Sequence, residues 1–198
     1  MEMRRTGRVL AAVVAAAMLL SAGTAVAAVP GASSKGTSGN DVLSGTWKVD
    51  EFRGRAGDDT IKGRAGDDSW LNGGFGDDTI YGGAGHDWIR GSAPTNGHDN
   101  GETGSDTLLG GKGSDYILGG LGEDEILGGD GSDDLFDGAG EFGSDRSVDM
   151  IYGGDGDDTI VAASGSNARD IIECGDGRDT VQADRGDEVA SDCEKVFY

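Results

Sequence analysis

The sequence predicts an all-β protein, a parallel β-roll wound from nonapeptides, and three observations carry that expectation. From Gly101 to Phe136 the chain reads GETGSDTLL, GGKGSDYIL, GGLGEDEIL, GGDGSDDLF, consecutive nine-residue units in one phase. Each has Gly at positions 1 and 4, Asp at position 6 and a large apolar residue at position 8 (Leu108, Ile117, Ile126, Leu135). Glycine supplies 39 of the 198 residues without a three-residue, collagen-like period. Sustained self-similarity at nine residues marks a solenoid of stacked turns.

Each position has a physical reason. Glycine at 1, 2 and 4 permits positive φ and lets backbones crowd together with no Cβ between them. Aspartate at 6 offers a hard anionic oxygen, of the kind Ca²⁺ gathers six to eight of, and glycine-rich turns leave carbonyls free to complete the set. Positions 7 to 9 form a very short strand whose central residue points inward. Two nonapeptides close one coil, so each turn stacks on the turn two units later, about 4.8 Å away.

Bulk composition points the same way. The formal net charge is -21, with 16 Lys and Arg against 37 Asp and Glu. So acidic a chain with so thin an apolar ribbon resembles a disordered polyanion unless bound cations offset it. Nucleic acid is excluded as a partner, since its phosphates would be repelled and no basic stripe is present.

Residues 1–27 read as a secretory signal peptide: Arg4, Arg5 and Arg8, an apolar run from Val9 to Leu20, and Ala25-Val26-Ala27 as a cleavage site. Its removal would leave no membrane span, and the mature protein is expected to be secreted. Residues 28–35 are expected as a flexible lead-in. Residues 36–182 form the roll, beginning with GTSGNDVLS, which carries Asp41 and Leu43. GTWKVDEFR keeps Asp50 and Phe52, but Lys48 and Val49 make a poor ion loop, so Asp50 is expected merely to flank a strand. GRAGDDTIK, GRAGDDSWL, GGFGDDTIY and GGAGHDWIR follow, with Asp59, Asp68, Asp78 and Asp87 at position 6 and Asn72 as one extra residue. Trp70 then falls on an inward position and Trp88 on an outward one.

Insertions are expected near 91–100, where Pro94 and extra residues break the phase, and near 137–152. The phase recovers at Asp149 and Ile151, and GGDGDDTIV supplies Asp158. A further stretched unit ends at Asp170, and CGDGRDTVQ supplies Asp179. Residues 183–198 lose the glycines and end in Val196, Phe197 and Tyr198, as a terminal cap would. Cys174 and Cys193 are the two cysteines, and in a secreted chain a lone pair forms a disulfide stapling this cap. A metal or redox pair is the weaker reading, because the spacing gives no CxxC.

These units resemble the hemolysin-type calcium-binding, or RTX, repeat with consensus GGxGxDxUx. The resemblance implies a right-handed roll holding several Ca²⁺ ions, each between turn n and turn n+2. The implied ligands are the carboxylates of Asp41, Asp59, Asp68, Asp78, Asp87, Asp106, Asp115, Asp124, Asp133, Asp158 and Asp179. Carbonyls of the glycine turns, at Gly57, Gly66, Gly76, Gly85, Gly104, Gly113, Gly122 and Gly131, would join them. The implied sandwiches are Asp41 with Asp59, Asp59 with Asp78, Asp68 with Asp87, Asp106 with Asp124 and Asp115 with Asp133. Across insertions they are Asp87 with Asp106, Asp133 with Asp158 and Asp158 with Asp179. Family members exported through a C-terminal signal lack a cleaved N-terminal one, and many attach the roll to a catalytic or pore-forming domain. Neither feature is expected here.

Enzymatic function is not expected. His86 and His98 are the two histidines, no HExxH motif is present, and paired carboxylates such as Asp58-Asp59 recur with the repeat. Position 5 is read as solvated. A surface-binding solenoid, an adhesin or ice binder, is the alternative function, suggested by Thr60, Thr79, Thr107, Thr159 and Thr180 at position 7. Val42, Ser69, Trp88, Tyr116, Glu125 and Asp134 at the same position interrupt that array, and β-propensity accounts for threonine there. No protein or glycan partner is identified by the sequence.

Overall fold

A computed structural model describes residues 25–27 (backbone only), 33–92, 104–138, 146–163 and 168–198. In chain order the strands are β1 Ala25–Ala27, β2 Ser33–Lys35, β3 Val42–Ser44, β4 Glu51–Ala56, β5 Thr60–Ala65 and β6 Trp70–Phe75. Then come β7 Thr79–Ala84, β8 Trp88–Ser92, β9 Thr107–Lys112, β10 Tyr116–Leu118, β11 Glu125–Asp130 and β12 Asp134–Phe136. The series ends with β13 Met150–Asp155, β14 Thr159–Ala162, β15 Ile171–Asp176, β16 Thr180–Ala183, β17 Glu188–Val189 and β18 Lys195–Phe197. Odd-numbered strands form one nine-stranded parallel sheet, A, and even-numbered strands form a second, B. The chain crosses from one sheet to the other at every unit, so two units make a coil. The expected all-β parallel roll is the observed fold.

Between the sheets lies one ribbon of side chains. Residues at position 8, among them Leu43, Ile61, Ile80, Leu108 and Ile126 from sheet A and Phe52, Ile89, Ile117, Leu135 and Ile160 from sheet B, have no solvent exposure. Burial of one such side chain contributes about 1.5–3 kcal/mol. With one per nine residues, the ribbon is thin.

The structure moves several sequence boundaries. β2 pairs with β4 through Ser33, Ser34 and Lys35, so the roll starts before Gly36, inside the stretch expected as a flexible lead-in. The extra residue near Asn72 is Ser69. Trp70 lies opposite Glu51 while Leu71 lies opposite Phe52 and Ile89, which makes Ser69 a one-residue bulge. Leu71 therefore fills the inward slot, 1 % exposed, and Trp70 is half-buried on the outside, against expectation. Trp88 faces outward as expected, with 46 % exposure. Alternation between sheets also rearranges the threonines: Thr60, Thr79 and Thr107 are neighbours in sheet A, between Val42 and Glu125.

The long insertions enter inside a turn rather than between units. A Cβ on Gly91 would collide with Asp106 Oδ2 and the Gly119 carbonyl, as at position-1 glycines such as Gly54, Gly82 and Gly110, so Gly91 opens the unit that carries Asp106 at position 6. In the second insertion Asp137 takes position 1, its carbonyl 2.5 Å from where a Cβ on Gly119 would stand, and Asp149 takes position 6. The inserted residues 93–103 and 139–145, with Pro94, His98, Asp99 and Glu141, lie outside the described residues, as do residues 1–24 of the expected signal.

At the far end, β17 adds to β15 and β18 to β16. The Cys174–Cys193 disulfide ties this last coil to the previous one. Its loop closes over a sequence separation of 19, and reduction is expected to cost about 3 kcal/mol, seen as a lower urea midpoint with dithiothreitol at fixed calcium. Two arginines stand where other units carry glycine: Arg55 at φ 96° and Arg64 at φ 85°, beside Gly74 at φ 125° and Gly83 at φ 122°. A side chain costs about 1–2 kcal/mol in this left-handed region. Arg55→Gly and Arg64→Gly should each raise stability by about 1 kcal/mol in the same urea assay.

Candidate metal centre

Two columns of carboxylates run along the roll, one beside each sheet. Beside sheet A the order is Asp41, Asp59, Asp78, Asp106, Asp124, Asp149, Asp170 and Asp187. Each backbone N–H donates to Oδ1 of the next, at 2.7–3.2 Å. Beside sheet B the order is Asp50, Asp68, Asp87, Asp115, Asp133, Asp158 and Asp179, joined the same way at 2.8 Å. Glu194 ends this second column by accepting the Asp179 N–H, also at 2.8 Å. The position-6 aspartates from Asp41 to Asp179 are all buried.

From Asp59 and Asp68 onward one oxygen of each carboxylate is thus used; the other oxygen separates the roll into ends and interior. In the first coil Asp41 Oδ2 accepts the Thr37 hydroxyl at 2.9 Å and its N–H at 2.5 Å. Asp50 Oδ2 accepts the Thr46 N–H at 2.7 Å and hydroxyl at 3.0 Å. Further along, Oδ2 of Asp59, Asp68, Asp78, Asp87, Asp106, Asp115, Asp133, Asp158 and Asp179 is buried with no hydrogen-bond partner. Leaving such an oxygen unpaired costs more than any hydrogen bond in the turn returns.

Each of these oxygens except that of Asp179, whose unit opens on Cys174, faces a position-1 glycine. A Cβ on Gly82 would sit 2.5 Å from Asp87 Oδ2 and 2.7 Å from the Gly110 carbonyl oxygen of the next coil. The same carboxylate and carbonyl converge at Gly54, Gly63, Gly110 and Gly128. Bare glycine surfaces, an unpaired carboxylate oxygen and backbone carbonyls form an all-oxygen cradle, the donor set that suits Ca²⁺. The residues present fit the ion.

Position-4 glycines named from the sequence lie where successive backbones approach most closely. A Cβ on Gly76 would meet the Gly57 carbonyl, one on Gly85 that of Gly66, one on Gly113 that of Gly85, and one on Gly131 that of Gly113. Gly104 and Gly122 stack likewise, over Gly76 and Gly104. Seven of the eight expected sandwiches coincide with neighbours in the two columns. Asp87 with Asp106 does not: Asp87 stacks on Asp115, and Asp78 on Asp106. The insertion lengthens one turn without adding a strand, so Asp106 stays with sheet A and Asp87 with sheet B.

Sequence reasoning set aside Asp50 and left Asp149, Asp170, Asp187 and Glu194 out of the site, although the columns contain them all. Asp50 keeps its offset from Gly45, and that spacing was the usable signal. Asp137 gave none. It replaces a position-1 glycine, and its carboxylate lies with those of Asp149 and Asp170 so that one oxygen of each falls within 4.8 Å of the others. Position 5, read as solvated, is exposed yet also bonded. Asp58 accepts the Asp77 N–H at 3.1 Å, Asp67 the His86 N–H at 3.0 Å, and His86 Nδ1 the Ser114 N–H at 2.9 Å.

Burial pushes the interior carboxyls up: Asp78 to about 8, Asp68, Asp106 and Asp158 to about 7, and Asp59, Asp115 and Asp133 to about 6. Donation from the preceding aspartate's N–H pulls each partly back, and neighbouring carboxylates raise it again. The unfolded chain releases these protons near pH 4, whereas the metal-free roll holds them to pH 6–8. Over that window the native state binds more protons, so metal-free stability falls as pH rises. In chelator, β-structure by circular dichroism should therefore be stronger at pH 4.5 than at pH 8, and calcium should reverse the order.

Among the described residues no helix is long and apolar enough to cross a membrane. None of the curated proteins compared with the chain matches it. The family model of the RTX calcium-binding nonapeptide repeat matches residues 44–69, 70–93, 100–141, 145–168 and 164–189. With the two carboxylate columns and their glycine cradles, these matches show that the chain belongs to the family of RTX calcium-binding nonapeptide repeats.

Proposed function

We propose that this is a secreted calcium-binding repeat protein whose roll folds when Ca²⁺ enters the interior turns, and that its role is structural or in interaction. The observation that carries the reading is the set of buried, unpartnered Oδ2 atoms of Asp59, Asp68, Asp78, Asp87, Asp106, Asp115, Asp133, Asp158 and Asp179. A divalent cation between coils neutralises two carboxylates, takes up these oxygens, and stabilises the folded chain by mass action. Candidate ligands are the position-6 aspartates of both columns with carbonyls of the position-1 and position-4 glycines. Asp137, Asp149 and Asp170 form a variant site with a third carboxylate in place of a glycine. Secretion is supported by Arg4, Arg5 and Arg8 before the apolar run and by the Cys174–Cys193 disulfide, which suits an oxidising compartment. Cleavage after Ala27 would take β1 away and leave β3 as the outermost strand of sheet A.

Circular dichroism of the secreted protein at pH 7.5 should show little β-structure in EGTA and a cooperative gain at about 10⁻⁴–10⁻³ M calcium, the range of extracellular modules. Asp78→Asn and Asp115→Asn, in the middle of their columns, should each shift the midpoint to higher calcium by about tenfold, a loss of about 1.4 kcal/mol. Native mass spectrometry of the same sample would count the ions and read the amino terminus. A spectrum in EGTA identical to that in calcium would defeat the reading.

A further inference from the structure

We propose that the aromatic row on the outside of sheet B, with the acidic groove beside it, docks a lysine- or arginine-bearing segment of a partner polypeptide. Trp70, Trp88, Tyr116 and Phe136 come from successive coils and touch in series. Their ring centroids are 5.1, 5.5 and 4.9 Å apart. Trp88 remains 46 % exposed and Tyr116 36 %, so this is a continuous apolar strip on a very polar molecule. Beside it runs a groove of about 770 Å³, whose lining includes Asp67, His86, Trp88, Ser114, Tyr116 and Asp134.

Charge selects the occupant. Asp134 directly follows Tyr116 in its column of sheet B, and Asp67 lies one coil before His86 in the adjoining turns. Both carboxylates are exposed and stand outside the position-6 columns, so they are not among the candidate calcium ligands. Among the described residues neither has an ion-pair partner. Arg90, in the neighbouring outward column, is half-buried and commits its Nε–H to the Ser92 carbonyl at 2.7 Å. Elsewhere on this surface aromatic rings do hold a cation: Lys48 over Trp47 at 5.0 Å, Lys62 over Tyr81 at 5.5 Å and Lys195 over Phe197 at 4.9 Å. Trp88 and Tyr116 pair aromatic faces with unneutralised carboxylates, the combination that attracts an ammonium or guanidinium group. Trp70 meets Trp88 at 61° and Trp88 meets Tyr116 at 71°, so the rings form no flat platform for a sugar.

The inference goes beyond calcium binding but needs the roll folded, so the test uses the calcium-loaded protein after circular dichroism has verified its fold. Tryptophan fluorescence would follow titration at 0.15 M salt with the capped peptide (Gly-Lys)₃, its lysine-acetylated copy, and maltohexaose. Saturable binding of the lysine peptide alone is expected. Trp88→Ala and Tyr116→Ala, both outside the core, should each weaken it about tenfold, and Asp134→Asn about threefold. Glu173→Gln with Asp176→Asn, which removes more charge from exposed sites in β15, should leave it unchanged. A folded roll that ignores the lysine peptide would overturn the proposal. So would equal binding of the acetylated peptide or maltohexaose, or a Trp88→Ala and Tyr116→Ala pair that binds as well as the parent.

Discussion

The structure depends on the contest between carboxylates stacked at sheet spacing and the oxygens that need a partner. Parallel pairing repeats every group about 4.8 Å along the axis. It therefore places an aspartate directly beside its own copy in the next coil. Two ionised groups at that separation repel by about 3–4 kcal/mol at an effective dielectric constant near 20. One buried side chain such as Ile117 or Leu135 contributes about 1.5–3 kcal/mol per unit. Repulsion wins at neutral pH unless a proton or a cation intervenes, and it adds to burial, the larger cause, in pushing the carboxyls up in the metal-free roll.

The two ends solve the same problem with hydrogen bonds. Thr37 and Thr46 cap Asp41 and Asp50 with a hydroxyl and an N–H each. At the other end the Asp184 N–H caps Asp187 Oδ2 at 2.6 Å, Glu194 replaces the last aspartate, and a disulfide holds the final coil. Among the described residues, buried carboxylate oxygens with no hydrogen-bond partner occur in the coils between them. The ends are thus furnished to hold shape by ordinary protein contacts, while the interior requires an ion.

Most of the fold was legible because one rule repeats. Gly at 1 and 4, Asp at 6 and an apolar residue at 8 placed Leu43, Ile61, Ile117 and Ile160 in the core and Asp41, Asp59, Asp78 and Asp115, with their counterparts in the unbroken units, in the columns. What escaped was local. A ten-residue unit does not say which residue is extra, and Ser69 and Asn72 satisfy the count equally. Packing decides, since Leu71 continues the slot between Phe52 and Ile89 and the larger Trp70 is turned out onto Trp88. Asp137 was invisible because nothing in its neighbours distinguishes a position-1 substitute from the first residue of a loop. The partner of Asp87 was misplaced because sheet parity, not distance along the chain, determines stacking.

Insertion within a turn has a consequence for how such a chain can change. Gly91 and Gly104 keep their places in the repeat although the excursion between them spans more than a full unit, and Asp137 and Asp149 do the same. Both stems of each excursion are pinned by the neighbouring coils, so register is set on either side of it. The roll is in that sense a rack: foreign segments can be spliced at these two points and presented at a fixed height on the axis, with the scaffold beneath them undisturbed.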